Sequence, residues 1–166
     1  MRLIIGSLVI FSLVILFLFA LFPSEVDVSR VVPINGTREK IQRDIADLRR
    51  WGSWNELYRE GLKYGEPGNI PLIADSNKIR KGSFEINVVR NVPDTVVTAW
   101  RRGERFFEGV YTLSGTGNQV VVYWALHFRV RWYPWEKLAS MFYDKQLGPA
   151  MEQSLLNLKG QVEGSH

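Results

Sequence analysis

The strongest constraint in this sequence is an uncharged apolar run from Leu3 to Phe22, at the N-terminus. The run contains no proline, and its most polar residues are Gly6, Ser7 and Ser12. Twenty residues at about 1.5 Å of rise per residue form a helix of roughly 30 Å, which is the thickness of the hydrocarbon core of a bilayer. The run therefore predicts a single transmembrane helix, with residues 1–23 as an N-terminal anchor.

The end of this run favours an uncleaved anchor over a signal peptide. A signal peptide has a shorter apolar region and small residues at its cleavage site, whereas large residues and Pro23 end the run here. Arg2 and the α-amino group precede the run, and Arg30, Arg38 and Lys40 follow it within about twenty residues, the distance over which the positive-inside rule applies. Because these charges nearly balance, the side of the membrane that the rest of the chain faces stays open.

Residues 24–166 are enough for one domain with its own hydrophobic core, and a single span excludes a polytopic transporter or channel. The sequence has no cysteine and two histidines, His127 and His166. This excludes a disulfide scaffold, a cysteine nucleophile and a histidine-rich metal centre, so we predict no metal and no cofactor. The chain has 21 basic and 17 acidic residues, and this dispersed excess does not indicate nucleic acid as a partner.

Apolar alternation from Glu25 to Ile34 predicts a half-buried strand. Helical spacing then predicts a helix from Arg38 to about Arg50, and a second helical turn or a loop at Trp54–Tyr58. The glycine- and proline-rich stretch Gly61–Asn77 predicts a loop with a weak strand at its apolar piece, 71–74.

Four strands in meander order follow: Lys78–Val89, Thr95–Arg101, Glu104–Leu113 and Gln119–Trp132. In the last of them, every second residue from Val120 to Trp132 is apolar, so this set must face the core. We pair Leu113 with Val120 across the glycine-rich turn. The inner face of the sheet then also takes Val96, Thr98, Trp100, Phe107, Gly109 and Tyr111. The outer face takes Arg101, Glu108, His127 and Arg129.

A long helix is predicted to begin at Pro134 and to continue to about Lys159. Its apolar stripe, which we expect to face the sheet, consists of Trp135, Leu138, Phe142, Met151, Leu155 and Leu158. We expect a kink at Gly148–Pro149, because proline lacks a backbone donor and clashes with the preceding turn. One helix against one antiparallel sheet predicts a two-layer α+β fold.

Three segments carry a resemblance to a known family: the first strand and its turn at 28–37, the helix end Asp47–Trp54, and the terminal helix Leu147–Lys159. Over residues 24–160 the chain resembles the START-like (SRPBCC) superfamily, which includes polyketide cyclase/dehydrase and lipid-transport members. The anchor and the Gly61–Asn77 stretch depart from that family pattern. The resemblance implies a helix-grip fold, with a START-like domain at 24–162 and a short tail at 163–166.

In that superfamily a curved sheet surrounds the long helix and leaves an apolar cavity between them. The candidate cavity residues here are Trp54, Tyr58, Trp100, Tyr111, Trp124, Phe128, Arg30 and Thr98. Aromatic side chains are favoured in binding pockets, and Gly109 is expected to leave space beside them. Two alternatives stay open: the rings simply fill the core, and Arg30 lies at the rim of the sheet rather than in the cavity.

No catalytic constellation is evident, since the sequence has no phosphate-binding loop, no nucleophile elbow and no pair of histidines at helical spacing. His127 is the one credible general base, but its strand position places it on the outer face. Asp47 is expected to mark a helix end rather than to act as an acid. The leading hypothesis is a membrane-anchored, non-enzymatic protein that holds an apolar or lipid-like molecule. The alternatives are an enzyme of the polyketide cyclase/dehydrase kind and an adaptor in a membrane assembly, without a ligand.

Overall fold

The structure is a computed structural model that describes residues 2–20, 24–63, 71–115, 117–131 and 133–164. Within these ranges the strands are β1 Glu25–Asn35, β2 Ile73–Ala74, β3 Lys78–Lys81, β4 Phe84–Val92, β5 Thr95–Arg102, β6 Arg105–Ser114 and β7 Gln119–Arg129. They form one antiparallel sheet in the order β1-β7-β6-β5-β4-β3-β2. The helices are α1 Arg2–Ala20, α2 Arg38–Ala46, α3 Trp51–Trp54, α4 Glu56–Lys63, α5 Pro134–Ser140 and α6 Tyr143–Glu163, with a 3-10 helix at Leu48–Arg50.

Helix α1 covers most of the predicted anchor. Its side chains at positions 5–17 are apolar apart from Gly6 and two serines, and nearly all of them are exposed. Within the described ranges, none of the helices meets the length and hydropathy that a bilayer crossing demands. The end of the predicted apolar run, at 21–22, lies outside the described residues.

The predicted meander is confirmed except for its first strand. The segment predicted as one strand, Lys78–Val89, is a hairpin of β3 and β4. Gly82 has a φ of 59° in the turn between them, a conformation that glycine adopts without the steric cost of a side chain. The weak strand predicted before it is present as the two residues of β2. The loop prediction is wrong at its start, because residues 61–63 are the last residues of α4, and residues 64–70 lie outside the described residues.

The residues on the two faces of the sheet are as predicted, but one predicted cross-strand pair between β6 and β7 is wrong. Leu113 pairs with Val122 rather than with Val120. Because side chains alternate between faces with a period of two, a shift of two residues keeps every side chain on its predicted face. Tyr111 and Trp124 are both fully buried on the inner face, and His127 is exposed on the outer face.

The helix predicted from Arg38 to Arg50 is interrupted at Asp47, which has extended φ and ψ angles of −94° and 101°. The Asp47 carboxylate accepts a hydrogen bond from the backbone N–H of Arg49 at 3.1 Å and thereby begins the 3-10 helix. A side-chain hydrogen bond from Arg49 lowers the pKa of this carboxyl group. Asp47 therefore marks a helix end, as predicted.

The prediction of a single C-terminal helix is wrong, because the structure divides it into two. Helix α5 ends at Ser140, and α6 begins at Tyr143 and continues through Pro149. At the break, the N–H of Met141 bonds to the carbonyl of Leu138, three residues earlier, which is the tighter bonding of a helix end. Because proline has no N–H, the carbonyl of Lys145, four residues earlier, has no helical donor. Lys145 and Pro149 are both exposed, so water can bond to this carbonyl.

This break divides the predicted apolar stripe into two parts. Met151, Leu155 and Leu158 are completely buried against the sheet. The other three members are on or just after α5 and are exposed by 66%, 48% and 53%, respectively: Trp135, Leu138 and Phe142. The prediction that these three face the core is wrong, because α5 is a separate helix that turns its apolar side away from the sheet.

The inner face of the sheet, α2 to α4 and α6 enclose one hydrophobic core. Helix α6 packs mainly against β1, and α4 packs against α6. This arrangement of a long C-terminal helix on an antiparallel sheet is the predicted α+β, helix-grip architecture.

Candidate functional site

Six buried aromatic side chains meet between the sheet and the short helices, and we call them the aromatic cluster: Trp51, Trp54, Tyr58, Trp100, Tyr111 and Trp124. Each is at most 6% exposed. The period of two along β5, β6 and β7 brings Trp100, Tyr111 and Trp124 to the inner face. Trp51 and Trp54 are three residues apart, so they lie on the same side of α3 and contact these strands.

The rings of the cluster contact one another directly. The Tyr111 and Trp124 rings stack with centroids 4.9 Å apart. The Trp51 centroid lies 5.4 Å from those of both Trp54 and Trp100. These are typical separations of attractive aromatic pairs. The side chains predicted to line a cavity thus occupy the space between the sheet and the helices, and their contact with a ligand stays a prediction.

Sequence reasoning missed the role of Trp51, which was noted only within a helix-end motif. Its ring lies within 6.5 Å of four other members of the cluster, and its indole N–H donates to the carbonyl of Ile45 at 2.8 Å. The spacing of three residues from Trp54 was the signal that could have identified it.

Asn55 is a second residue that the sequence did not single out, and it is completely buried. Its Oδ1 accepts a hydrogen bond from the backbone N–H of Tyr58 at 3.0 Å, which caps the start of α4. Its Nδ2 lies 3.4 Å from the hydroxyl oxygen of Tyr111. Burial raises the pKa of the Tyr111 phenol well above its usual value, so this hydroxyl is neutral at physiological pH and is not a base.

Two indole N–H groups of the cluster are buried without a hydrogen-bond acceptor in the described structure, those of Trp54 and Trp124. Both rings contact Tyr111, with centroids 6.3 Å and 4.9 Å from its ring. A buried donor without an acceptor costs about 1–3 kcal/mol. The interior beside Tyr111 therefore carries two donors that an acceptor atom would stabilise.

The hydroxyl of Thr98, a predicted ligand contact, is already used within the protein. It accepts a hydrogen bond from Trp100 Nε1 at 3.0 Å and donates one to the carbonyl of Gly109 at 3.1 Å. The expectation that Gly109 leaves space is wrong, because a Cβ atom there would lie 2.7 Å from Thr98 Oγ1 and 3.0 Å from Trp100 Nε1. Gly109 instead allows these two side chains to approach the backbone of β6.

Arg30 reaches from the edge strand β1 to α6 and lies outside the aromatic cluster. Its guanidinium donates to Asp144 Oδ1 at 2.8 Å and to the carbonyl of Ser29 at 2.7 Å. A Cβ atom on Gly148 would lie 1.8 Å from Arg30 Nη2, so the glycine makes room for this side chain. The hydrogen bond from Arg30 lowers the pKa of Asp144. Arg30 thus links the sheet to α6 at their rim.

Phe128 belongs to a row of half-buried rings that continues outward from the cluster, and we call Phe107, Phe128 and Tyr143 the aromatic row. Phe107 stacks on Trp100 with centroids 5.4 Å apart. The Phe128 centroid lies 4.9 Å from that of Phe107 and 5.0 Å from that of Tyr143. The row connects the buried cluster to the surface at the N-terminal end of α6.

His127 lies on the other face of the sheet, away from the cluster. Its side chain is 44% exposed, and its Nδ1 lies 2.7 Å from Asp27 Oδ1. Sequence reasoning predicted an exposed or ion-pairing role, and this placement agrees with it. His166 lies outside the described residues. In the part of the chain that the structure describes, no group of three or more potential metal ligands occurs.

Two surface pockets of about 330 and 420 Å³ lie at the end of the sheet opposite to the aromatic row. Arg38 contributes to both, and its guanidinium pairs with Asp94. None of the residues that line these pockets is one of the predicted site residues.

The chain was compared with known proteins by sequence and by structure. No protein-family model matches the sequence, and no curated protein matches it either. A START superfamily protein from Mycobacterium smegmatis has 16% identity and a TM-score of 0.60, over 84% of this chain and 99% of that one. CalU16 from Micromonospora echinospora has 12% identity and a TM-score of 0.54, over 86% and 84% of the two chains.

Norcoclaurine synthase from Thalictrum flavum, solved in complex with dopamine and hydroxybenzaldehyde, also matches this chain. It has 9% identity and a TM-score of 0.54, over 86% of this chain and 88% of that one. At these identities the similarity establishes the fold alone. The chain has the START-like fold that its sequence motifs predicted.

Proposed function

We propose that this chain is a membrane-attached binding protein that holds a hydrophobic or lipid-like small molecule between the sheet and α6, against the aromatic cluster. The observation that carries the proposal is the pair of buried indole N–H groups, those of Trp54 and Trp124, that have no acceptor in the described structure. A ligand with an apolar body and one acceptor oxygen would bond to one of these donors while its body contacts the rings. The preferred ligand is therefore amphipathic rather than a pure hydrocarbon.

The energy of such binding comes mainly from the apolar body of the ligand. Burying about 200 Å² of apolar surface contributes about 5 kcal/mol at 25 cal/mol per Å². One hydrogen bond to a buried donor adds a net stabilisation of about 0.5–1.5 kcal/mol. That corresponds to roughly a two- to tenfold gain in affinity, so the rings provide affinity and the donors provide selectivity.

Entry to the cluster is proposed to occur along the aromatic row. Phe107, Phe128 and Tyr143 are half-buried, and Phe128 contacts the other two rings, so rotation of these half-buried rings would open a path without breaking backbone hydrogen bonds. Norcoclaurine synthase, which shares the fold, was solved with dopamine and hydroxybenzaldehyde bound, and this precedent supports small-molecule binding by the fold.

Attachment to a membrane is proposed to occur through residues 3–22. The support is the uncharged sequence of this run and the exposure of its apolar side chains at positions 5–17, since a helix that exposes apolar side chains nearly all round is favoured in lipid. We expect the full-length chain to stay in the membrane pellet after carbonate extraction. Replacement of Phe11 and Val14 by arginine should release it, because each charge at the centre of a span costs about 3 kcal/mol. If the wild-type chain is extracted as readily as this variant, membrane attachment is refuted.

The binding proposal is tested with a photoreactive fatty acid in nanodiscs that contain the full-length chain. Mass spectrometry of the labelled peptides should find adducts on β6 or α3, in addition to those expected on α1. Changing Trp54 and Trp124 to phenylalanine removes both donors and should reduce the labelling of β6 and α3 by two- to tenfold. Labelling of α1 should not change, and it serves as an internal reference for the concentration of the probe in the bilayer.

The matched control is Trp135→Phe, which removes the indole of an exposed side chain. It should leave the labelling of β6 and α3 at the wild-type level. Labelling confined to α1 in the wild-type chain would refute the binding proposal. Equal internal labelling of the wild-type chain and the double variant would refute the role of the two donors.

A further inference from the structure

The two ends of the sheet differ, and one of them is the end to which α1 connects. At this end β1 begins, β7 ends, β6 begins and β5 ends, as the pairs Glu25–Arg129 and Arg102–Arg105 show. The backbone N–H of Val130 bonds to the carbonyl of Ser24 at 2.8 Å. The chain that arrives from α1 and the chain that leaves towards α5 are therefore joined at one point. We call this end the anchor-side end.

Covalent geometry keeps α1 and α5 close to this point. Four residue steps separate Ala20 from Ser24, and four more separate Val130 from Pro134. Each step spans at most about 3.8 Å, so each connection reaches at most about 15 Å. In agreement with these short connections, α1 contacts α5.

The anchor-side end carries a group of large apolar side chains that the domain leaves exposed. Trp135 is exposed by 66%, Met141 by 61% and Phe142 by 53%. Leu138 is exposed by 48%, and Phe106, at the start of β6, by 67%.

On the opposite side of α5, Lys137 and Ser140 are buried against the protein. The apolar face of α5 is thus its outward face.

The charges around this face are of both signs. Arg105, Arg129 and Arg131 are exposed there, and Arg131 lies 3.6 Å from the carboxylate of Glu104. Glu25 is exposed at the same end. Long arginine side chains at such a rim can keep their charge in water while their apolar stems contact lipid. Because charges of both signs surround the face, we expect apolar contact to contribute more to its binding than the charge of the partner.

We propose that the apolar face of α5, together with Phe106, lies in the interface of the bilayer that α1 enters. This inference rests on the membrane attachment proposed above and adds the orientation of the domain. A short helix that exposes a tryptophan and a leucine beside two exposed phenylalanines, Phe106 and Phe142, is suited to the boundary between headgroups and acyl chains. The aromatic row lies at the same end, because Phe107 and Phe128 pair there and Tyr143 begins α6. The entrance to the aromatic cluster then faces the lipid, and a ligand passes between the bilayer and the cluster without crossing water.

The test uses the absence of cysteine from the sequence, which allows single labels in the full-length chain. Leu138→Cys places a nitrobenzoxadiazole label on the proposed face. Leu156→Cys is the matched control, because Leu156 is 46% exposed, nearly the same as Leu138. Leu156 is thirteen residues, or about 20 Å, along α6 from Tyr143, and it is therefore distant from the proposed interface. Phe11→Cys reports the insertion of α1.

The labelled chains are placed in phosphatidylcholine nanodiscs, with and without lipid that carries a nitroxide near the headgroup or deep in the acyl chain. The inference predicts that shallow nitroxide quenches the label at 138 at least threefold more than the label at 156, and that deep nitroxide quenches the label at 11. Changing Trp135 and Phe142 to serine should lower the quenching at 138 and leave that at 11 unchanged.

Two results would overturn the inference in different ways. If the label at 11 is quenched and those at 138 and 156 respond equally, the domain does not dock through α5, and membrane attachment stands. If the label at 11 is not quenched, attachment itself fails and the docking proposal fails with it.

Discussion

The contact between Gly109 and the pair Thr98–Trp100 gives a direct test of how tightly the interior is packed. Changing Gly109 to alanine places a Cβ atom 2.7 Å from Thr98 Oγ1 and 3.0 Å from Trp100 Nε1. Neither side chain can move away easily, since both are completely or almost completely buried. The new methyl group must therefore displace the hydrogen bond that joins them.

The expected loss of stability has three contributions. Forcing a methyl group into a packed core costs about 1–3 kcal/mol, and loss of the hydrogen bond between Trp100 and Thr98 costs about 1 kcal/mol. Reduced freedom of the unfolded chain returns about 0.4–1 kcal/mol. We therefore expect the Gly109→Ala variant to lose about 1–3.5 kcal/mol in the free energy of unfolding.

The assay is urea unfolding of the full-length chain in mild detergent, monitored by near-ultraviolet circular dichroism of the buried tryptophans. With a denaturant slope near 2 kcal/mol per M, the midpoint should fall by about 1 M. Gly160→Ala is the matched control, because nothing lies within 4 Å of a Cβ atom at this position of α6. It should stabilise the chain by up to about 1 kcal/mol, the helix preference for alanine over glycine. A Gly109→Ala variant as stable as the wild type would show that Thr98 and Trp100 can move to accept the methyl group, which would refute the close local contact at Gly109.

Three further substitutions test other parts of the structure by the same unfolding assay. Asn55→Ala removes the cap of α4 and a buried polar contact, so we expect a loss of about 1–3 kcal/mol; a loss below 0.5 kcal/mol would contradict the cap. Leu155→Ala should cost about 2–5 kcal/mol and Leu156→Ala less than about 0.5 kcal/mol, because the first side chain is fully buried and the second is 46% exposed; equal effects would show that α6 presents another face to the sheet. A hydrogen bond from Asn87 and neighbouring cations lower the pKa of Glu85. The ionised carboxylate therefore stabilises the folded chain above the ordinary glutamate pKa of about 4.3, and this stabilisation is lost as the pH falls through the lower pKa of the folded state. Glu85→Gln should therefore be less stable than the wild type at pH 7 and approach it in acid, and a constant difference between pH 7 and pH 3 would refute this.

Much of the domain could be predicted from the sequence because its strands are long and regular. Alternation along β7 assigned Trp124 to the inner face and His127 to the outer face, and the structure confirms both. This assignment was correct even though the pairing of Leu113 was wrong by two residues, since a period of two makes the face insensitive to such a shift. The hairpin at Gly82 was missed because residues 78–81 contain one apolar residue, Ile79, and so have no alternation of their own that marks a separate strand.

The candidate site was predicted in part. The sequence identified Trp54, Trp100, Tyr111 and Trp124 by their positions on apolar faces, and the structure brings these four together. It missed Asn55, whose burial depends on α3 and β6 meeting there, and nothing in the local sequence marks that contact. It also left Arg30 open between the cavity and the rim, and only the position of Gly148 on α6 decides that the side chain lies at the rim.

What the sequence determined by itself was the apolar N-terminal run, the START-like order of elements and the inward or outward direction of each strand residue. These follow from the local period of apolar residues, which every segment carries within itself. The tertiary structure alone decided that α5 separates from α6 at residues 141–142 and presents Trp135 and Phe142 to the outside. It alone decided which indole groups find an acceptor. Both outcomes depend on atoms from segments distant in sequence, and a helical period that continues through a break gives no sign of where the chain changes direction.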